Sequence, residues 1–307
     1  MKVVSVINYK GGVGKTTLTA NLAAELASRD KKVLLIDLDP QTNLTFCFYT
    51  PDEWRVSLRE DRTIKRWFDS FEDGKTRLAL RDLVVTPKRV NQELGQHDGR
   101  IDLIASHLGL INVDIDLAAD LGGATNPRQS RTRFFRVHRR LTDGLRDADF
   151  AEYDLILVDC PPNFNIVTKT AIVASDRILV PAKADYLSTL GIDYLRGNHR
   201  QLVEDYNEFA ASPQSNGLER IDPAILGVVF TMIQYYAGRP IAVLENHIEE
   251  VRNSGIPVFN AMMRMNNTLF GDAGQYGVPA VLRADADPDI VKELEDLATE
   301  FSTRLQL

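Results

Sequence analysis

Six short apolar runs restrict what this chain can become. Residues 3–7, 33–36, 101–104, 155–158, 178–180 and 225–230 are rich in Val, Ile and Leu and show little polar alternation. A strand with water on one face alternates polar and apolar residues; a strand covered on both faces does not. Between the runs, apolar residues fall at helical spacing, as Leu18, Leu22 and Leu26 do. Alternating β and α signals place helices on both sides of one parallel sheet. The expected fold class is α/β, a mostly parallel, doubly wound sheet flanked by helices. A chain of 307 residues is long enough to bury such a core.

The first strand and first helix are joined by Lys10-Gly11-Gly12-Val13-Gly14-Lys15-Thr16-Thr17. Glycines let the backbone curl so that its N–H groups point inward at a phosphate. A helix starting near Lys15 adds its positive N-terminal end. In such a loop the lysine reaches the β and γ phosphates and the following hydroxyl sits on Mg2+. Gly11, Gly12, Val13, Gly14, Lys15, Thr16 and Thr17 are therefore the expected nucleotide contacts, with ATP and Mg2+ as cofactors on a P-loop NTPase scaffold. The general pattern asks for glycine five residues before Gly14, where this chain has Tyr9, and an additional lysine, Lys10, stands at the mouth of the loop. Two more strand ends carry carboxylates: Asp37 and Asp39 follow the second run, and Asp159 follows the fourth, ahead of Cys160-Pro161-Pro162. Ligands of open parallel sheets bind at that end. Phosphoryl transfer depends on positioning and charge neutralisation. That assigns Thr16 and Asp159 to Mg2+, Asp159 in the outer shell, and leaves Asp37 to Mg2+ or to support of the loop.

The loop with its extra lysine resembles the deviant Walker A motif of the ParA/MinD family of ATPases. Residues 33–43 look like the family's second motif and 155–162 like its Walker B strand. Residues 101–110 and 227–232 resemble later stretches of the ParA pattern. Val258-Phe259-Asn260-Ala261-Met262-Met263-Arg264 and Tyr276-Gly277-Val278-Pro279 resemble its C-terminal signature. There the family usually reads Ile-Pro-Arg-Asn; this chain reads Met263-Arg264-Met265-Asn266-Asn267, without the proline. The likeness runs to about Pro279, broken by residues 50–98. It implies that Asp39 orients the attacking water and that Thr231 and Asn266 line the base. It implies that Lys10 reaches across a dimer to the partner's nucleotide and acts like an arginine finger, so that Lys10, Lys15 and Asp39 form the catalytic set. It further implies a homodimer closed by ATP, non-specific double-stranded DNA as a partner, and slow hydrolysis stimulated by a ParB-like or cargo-adaptor protein. The implied location is cytoplasmic, and nucleoid-associated in the ATP state. Arg239 and Arg252 are the DNA contacts the likeness suggests, with Arg264 and Arg283 behind them.

Composition limits how DNA could be held. The chain has 43 acidic and 36 basic side chains, net −7, so a DNA contact has to come from a local patch. The densest basic run is Arg128, Arg131, Arg133, Arg136, Arg139 and Arg140. On one continuous helix, Phe134, Val137, Leu141 and Leu145 would face the core and Arg133, Arg136, Arg139 and Arg140 the other way. A solvated face, a DNA surface and a docking site for an acidic partner all fit that pattern. Cys47 and Cys160 have no metal-ligand spacing and read as buried thiols in a reducing compartment. No run reaches membrane length and no signal peptide is evident.

The final helix carries Ile290, Val291, Leu294, Leu297, Ala298, Phe301 and Leu305 on one stripe and acidic residues on the other. A membrane-lying helix would carry Lys or Arg there, which weighs against a MinD-like membrane-patterning ATPase. The remaining alternative, a metabolic or assembly ATPase on the same loop, calls for a substrate pocket and no DNA binding. The chain reads as a single ParA-like P-loop ATPase domain over 1–307, with a helical insertion around 50–98, a polar loop around 212–217, and no N-terminal helix-turn-helix domain.

Overall fold

A computed structural model describes residues 1–71, 75–122, 124–212, 218–236, 238–266 and 277–307. Strands β1 (Lys2–Val6), β2 (Lys32–Asp37), β3 (Arg100–Ile104), β4 (Leu155–Asp159), β5 (Arg177–Lys183) and β6 (Ala224–Thr231) form one sheet in the order β3-β2-β4-β1-β5-β6. Every pairing in it is parallel. All six apolar runs of the sequence thus become strands of one α/β sheet.

The helices are α1 (Lys15–Ser28), α2 (Asn43–Phe46), α3 (Pro51–Ser57), α4 (Ile64–Asp69), α5 (Lys88–Leu94), α6 (Leu110–Leu121), α7 (Pro127–His138) and α8 (Arg140–Gly144). They continue with α9 (Ile166–Ala174), α10 (Tyr186–Ala210), α11 (Ala242–Asn253) and α12 (Pro288–Leu305). Successive strand residues point to opposite faces, and the sheet divides the interior accordingly. Val3, Leu34, Ile36, Ile156 and Val158 pack with residues of α4 and α6 to α11. Val4, Val6, Val33, Leu35, Leu155 and Leu157 pack with α1, α2, α3, α5 and α12. The absence of polar alternation in the strands is the direct consequence of these two cores.

The described residues of 50–98 wrap the β3 edge. Trp54 of α3 and Val90 of α5 enter one core, and Trp67 and Phe68 of α4 enter the other. Val85 exchanges both backbone hydrogen bonds with Leu103 of β3, at 2.9 and 2.8 Å. The opposite edge is covered as well: residues 257–265 run beside β6, with Phe259 N donating to Val228 O at 2.8 Å and Met263 N to Phe230 O at 3.0 Å. A paired edge has no free ladder to offer another chain.

The basic run departs from the helix expected of it. The chain breaks at Arg139 between α7 and α8, so the wheel does not continue. Arg139 is buried against the Tyr206 hydroxyl and Asp143. Arg140 is buried, paired with Asp120 and laid over the Phe71 ring. Arg131 stacks on Phe209, Arg133 donates to the Gly122 carbonyl, and Arg136 faces Asp120. Most of this charge serves packing between α6, α7, α8 and α10. The polar loop expected around 212–217 lies, beyond Ser212, outside the described residues.

The final helix is tied down along its apolar stripe. Ile290, Leu294, Leu297, Ala298, Phe301 and Leu305 are buried, against α1 among others. Its cap is Asp287, which accepts from Asp289 N at 2.9 Å. Phe301 has no solvent exposure. Phe301→Ala should cost about 3–5 kcal/mol of unfolding free energy, read as a lower urea midpoint with the slope unchanged.

Candidate functional site

The carboxyl ends of β1, β4 and β2 lie side by side, with Val6 in register with Asp159 and Asp159 with Asp37. The glycine loop leaves β1 and enters α1 at this edge. Gly12 and Gly14 have φ of 66° and 77°, a left-handed backbone that glycine adopts without strain. Gly14 is the N-cap of α1, with no side-chain cap and no acidic residue in the first turn. The N–H groups of that turn are therefore free of side-chain competition and the helix end is positive. The loop is braced from below by Thr231 at the end of β6, whose hydroxyl donates to Val13 O at 2.7 Å.

Lys15 is buried at the floor of the loop, and its Nζ donates to Asn8 O at 3.3 Å and Lys10 O at 3.5 Å. Burial lowers its pKa, while the Asp159 and Asp39 carboxylates pull it back up. The Thr16 hydroxyl donates to Asp159 Oδ2 at 2.7 Å. Asp159 has no solvent exposure, and its Oδ1 has no partner among the described residues. Burial pushes its carboxyl up to about 7, against the hydrogen bond from Thr16 and the charge of Lys15.

Asp37 is also fully buried, with a pKa raised by burial and by Asp159. Its oxygens accept from Asp39 N at 3.1 Å, Thr45 N at 2.8 Å and Thr45 Oγ1 at 2.8 Å. These bonds tie Asp37 to the segment that follows β2, and none of them reaches the phosphate loop. Asp39 stands further out, accepting from Gln41 N at 2.9 Å, with its carbonyl held by Ser106 Oγ at 2.7 Å.

The loop and Asp39 border a cleft of about 510 Å3, lined by Gly11 to Thr17, Asp39, Gln41, Asn43, Phe46, Cys47, Pro162 and Met232, with Asp37 and Asp159 buried outside that lining. A smaller cavity behind the loop is lined by Thr231 and Asn266 with Met232, Met263 and Met265. Thr231 and Asn266 thus border one cavity, while the Thr231 hydroxyl is spent on the loop. Asn267 and Tyr276 lie outside the described residues.

Lys10 turns toward its own chain: its Nζ donates to Asp185 at 2.6 and 2.8 Å. Asp185 also caps α10 by accepting from Ser188 N at 2.8 Å. Burial works to raise the Asp185 carboxyl, but the bonds from Lys10 and Ser188 outweigh it and hold it below the usual range. Sequence reasoning missed Asp185, Asn8, Thr45 and Met232. Asp185 reads in sequence only as a helix cap. Nothing marks Met232, which takes a left-handed φ of 57° at the rim of the cleft.

The arginines considered for DNA differ in exposure and pairing. Arg239 is exposed on a hairpin of β7 (Tyr235–Tyr236) and β8 (Arg239–Pro240). Arg252 is exposed and paired with Glu249 at 2.6 Å. Arg264 is held by Glu293 and Asp289 and lies over the Tyr235 ring. Arg283 is mostly buried and paired with Asp285.

Comparison with known proteins bears on the family and the fold. A family model described as an AAA domain, AAA_31, matches residues 1–210. Over 281 residues the chain is 27% identical to the sporulation initiation inhibitor protein Soj of Bacillus subtilis, covering 92% of this chain and 90% of Soj. It is 27% identical over 292 residues to the chromosome partitioning protein ParA of Myxococcus xanthus, covering 92% and 81%. Its fold matches an ATP complex of a Cyanothece McdA variant with a TM-score of 0.70 at 20% identity, over 98% of this chain and 96% of that one.

The buried Asp159 makes a stability prediction. A carboxyl raised from 3.8 to about 7 is destabilising in its charged form. That cost is absent below pH 4, grows as pH rises through the interval, and is complete above about 7. Without nucleotide and with divalent ions chelated, Asp159→Asn should stabilise the protein at pH 8 by on the order of 4 kcal/mol and have little effect at pH 4. Thermal melts across pH 4–8 read this; a gain independent of pH would contradict it.

Proposed function

The chain belongs to the AAA_31 family, described as an AAA domain, and is a ParA/MinD-type P-loop ATPase; we propose that it is an ATP-dependent dimerising switch that holds DNA without sequence preference and hydrolyses ATP to partition or position DNA or cargo. The observation that carries this reading is the glycine loop set over Thr16 and Asp159, with a buried carboxylate oxygen left unpartnered. Such an oxygen suits a hydrated divalent cation. Thr16 would hold Mg2+ directly and Asp159 would accept from its water shell; bound Mg2+ supplies charge neutralisation at the β and γ phosphates.

The chain's own groups do the rest. Loop N–H groups bind the phosphates, and Lys15, its ammonium held by two backbone carbonyls, donates a further N–H to the phosphate oxygens. Asp39 orients the attacking water, whose oxygen bonds to the γ phosphorus as the bond to the β–γ bridging oxygen breaks, giving ADP and phosphate. Lys10 leaves Asp185 for the partner's nucleotide when two copies close, so ATP acts as glue by favouring the dimer. The whole chain works as one ATPase domain, with residues 50–98 as an insertion. A ParB-like or cargo-adaptor protein stimulates the slow hydrolysis. The protein is cytoplasmic, and associated with the nucleoid when ATP is bound. No helix among the described residues is long and apolar enough to cross a membrane.

Binding to non-specific duplex DNA should require ATP, vanish in Lys15→Ala, and weaken steeply with salt. Arg239→Ala should lower the salt slope by about 1, whereas Arg264→Ala should change it less, because its guanidinium is already paired. Absence of DNA binding with intact nucleotide binding would rule out this reading in favour of a metabolic or assembly ATPase, or of a membrane-patterning one.

A further inference from the structure

Three anchors bolt the start of the phosphate loop to β5 and α10. Asn8, buried, donates from Nδ2 to Pro181 O at 2.6 Å and accepts from Lys10 N at 2.9 Å. Lys10 is paired with Asp185 at the start of α10. Between them stands Tyr9, where the general loop pattern has glycine. Its ring stacks on Phe164 with centroids 5.9 Å apart and meets the edge of Tyr194 at 6.4 Å. Its hydroxyl accepts from Asn198 Nδ2 at 2.9 Å. The two carbonyls that hold the Lys15 ammonium are those of Asn8 and Lys10, the residues on either side of Tyr9.

We propose that Tyr9 is a positioning residue for Lys15: by docking its ring on Phe164 and α10 it fixes the two carbonyls that set where the ammonium waits for the γ-phosphate. The inference rests on the ATPase reading above. Its physical basis is leverage. The ring is anchored outside the cleft, but the backbone it immobilises is the floor on which Lys15 rests. A misplacement of about 1 Å in a catalytic group can cost 10²-fold in rate. An untethered lead-in, free to move by part of that distance, should therefore cost about tenfold. ADP, which lacks the γ-phosphate, should feel the change much less. Tyr9→Phe keeps both ring contacts and loses only the bond from Asn198.

The test compares Tyr9→Ala, Tyr9→Leu and Tyr9→Phe with the wild-type chain. Expected are a kcat for ATP hydrolysis about tenfold lower in the Ala and Leu variants, a Kd for ADP within about threefold of wild type, and recovery of most of the rate by Tyr9→Phe. Tyr9→Leu retains bulk at the site and carries the test if Tyr9→Ala does not fold. An unchanged kcat in the variants that fold, or a loss of ADP affinity as large as the loss of kcat, would overturn the assignment; the latter would make Tyr9 merely part of the loop's packing. The preference for ATPγS over ADP, measured by titration, is a second readout that needs no turnover. It should shrink in Tyr9→Ala and Tyr9→Leu toward the value of Lys15→Ala. Absence of hydrolysis in the wild type would count against the ATPase reading, while the ATPγS-to-ADP ratio would still decide for or against Tyr9.

Discussion

Asp159 has no contact with solvent, keeps one oxygen on the Thr16 hydroxyl, and lies in register with Asp37 one strand away. Two fully buried carboxyls on neighbouring strands are costly unless something neutralises or bonds them. Asp37 is satisfied by donors of its own segment, chiefly Thr45. Asp159 is satisfied on one side only, and the nearby charge of Lys15 does not bring its carboxyl back to the ordinary range. The strain is local and is placed where β1, β4 and the first turn of α1 converge. The loop conformation, the buried lysine and the cleft are arranged around that one unsettled group.

The strands were legible because burial on both faces leaves an unmistakable apolar text, and the phosphate loop because glycines at fixed offsets answer a backbone need. The insertion was harder to read. Trp54, Trp67 and Phe68 lie in a charged, weakly periodic stretch, and their packing on two sides of the sheet follows from the edge of β3, which no local pattern announces. The arginine run misled for a related reason. A helical wheel assumes a continuous helix, and the break at Arg139 turns two side chains inward to partners, Asp120 and Tyr206, that are distant in sequence.

Site geometry beyond the loop was legible only in part. Carboxylates at strand ends could be located, but that Asp37 is satisfied by Thr45 while Asp159 bonds the loop at Thr16 and keeps one oxygen open depends on the fold. The pairing of Lys10 with Asp185 joins residues 175 positions apart. The anchoring of Tyr9 on Phe164, Tyr194 and Asn198 likewise depends on β5 lying beside β1. Long-range partners of this kind carry no signature in a single sequence.

The covering of both sheet edges bears on how copies of this chain can meet. Val85 occupies the outside of β3, and residues 257–265 occupy the outside of β6. Neither outer strand offers a run of open backbone groups, so molecules crowded together have no template for growing a continuous sheet from one copy to the next. Association through side-chain surfaces alone stays reversible. A protein held at high local concentration gains from that arrangement: crowding at those two edges does not commit it to a fibre.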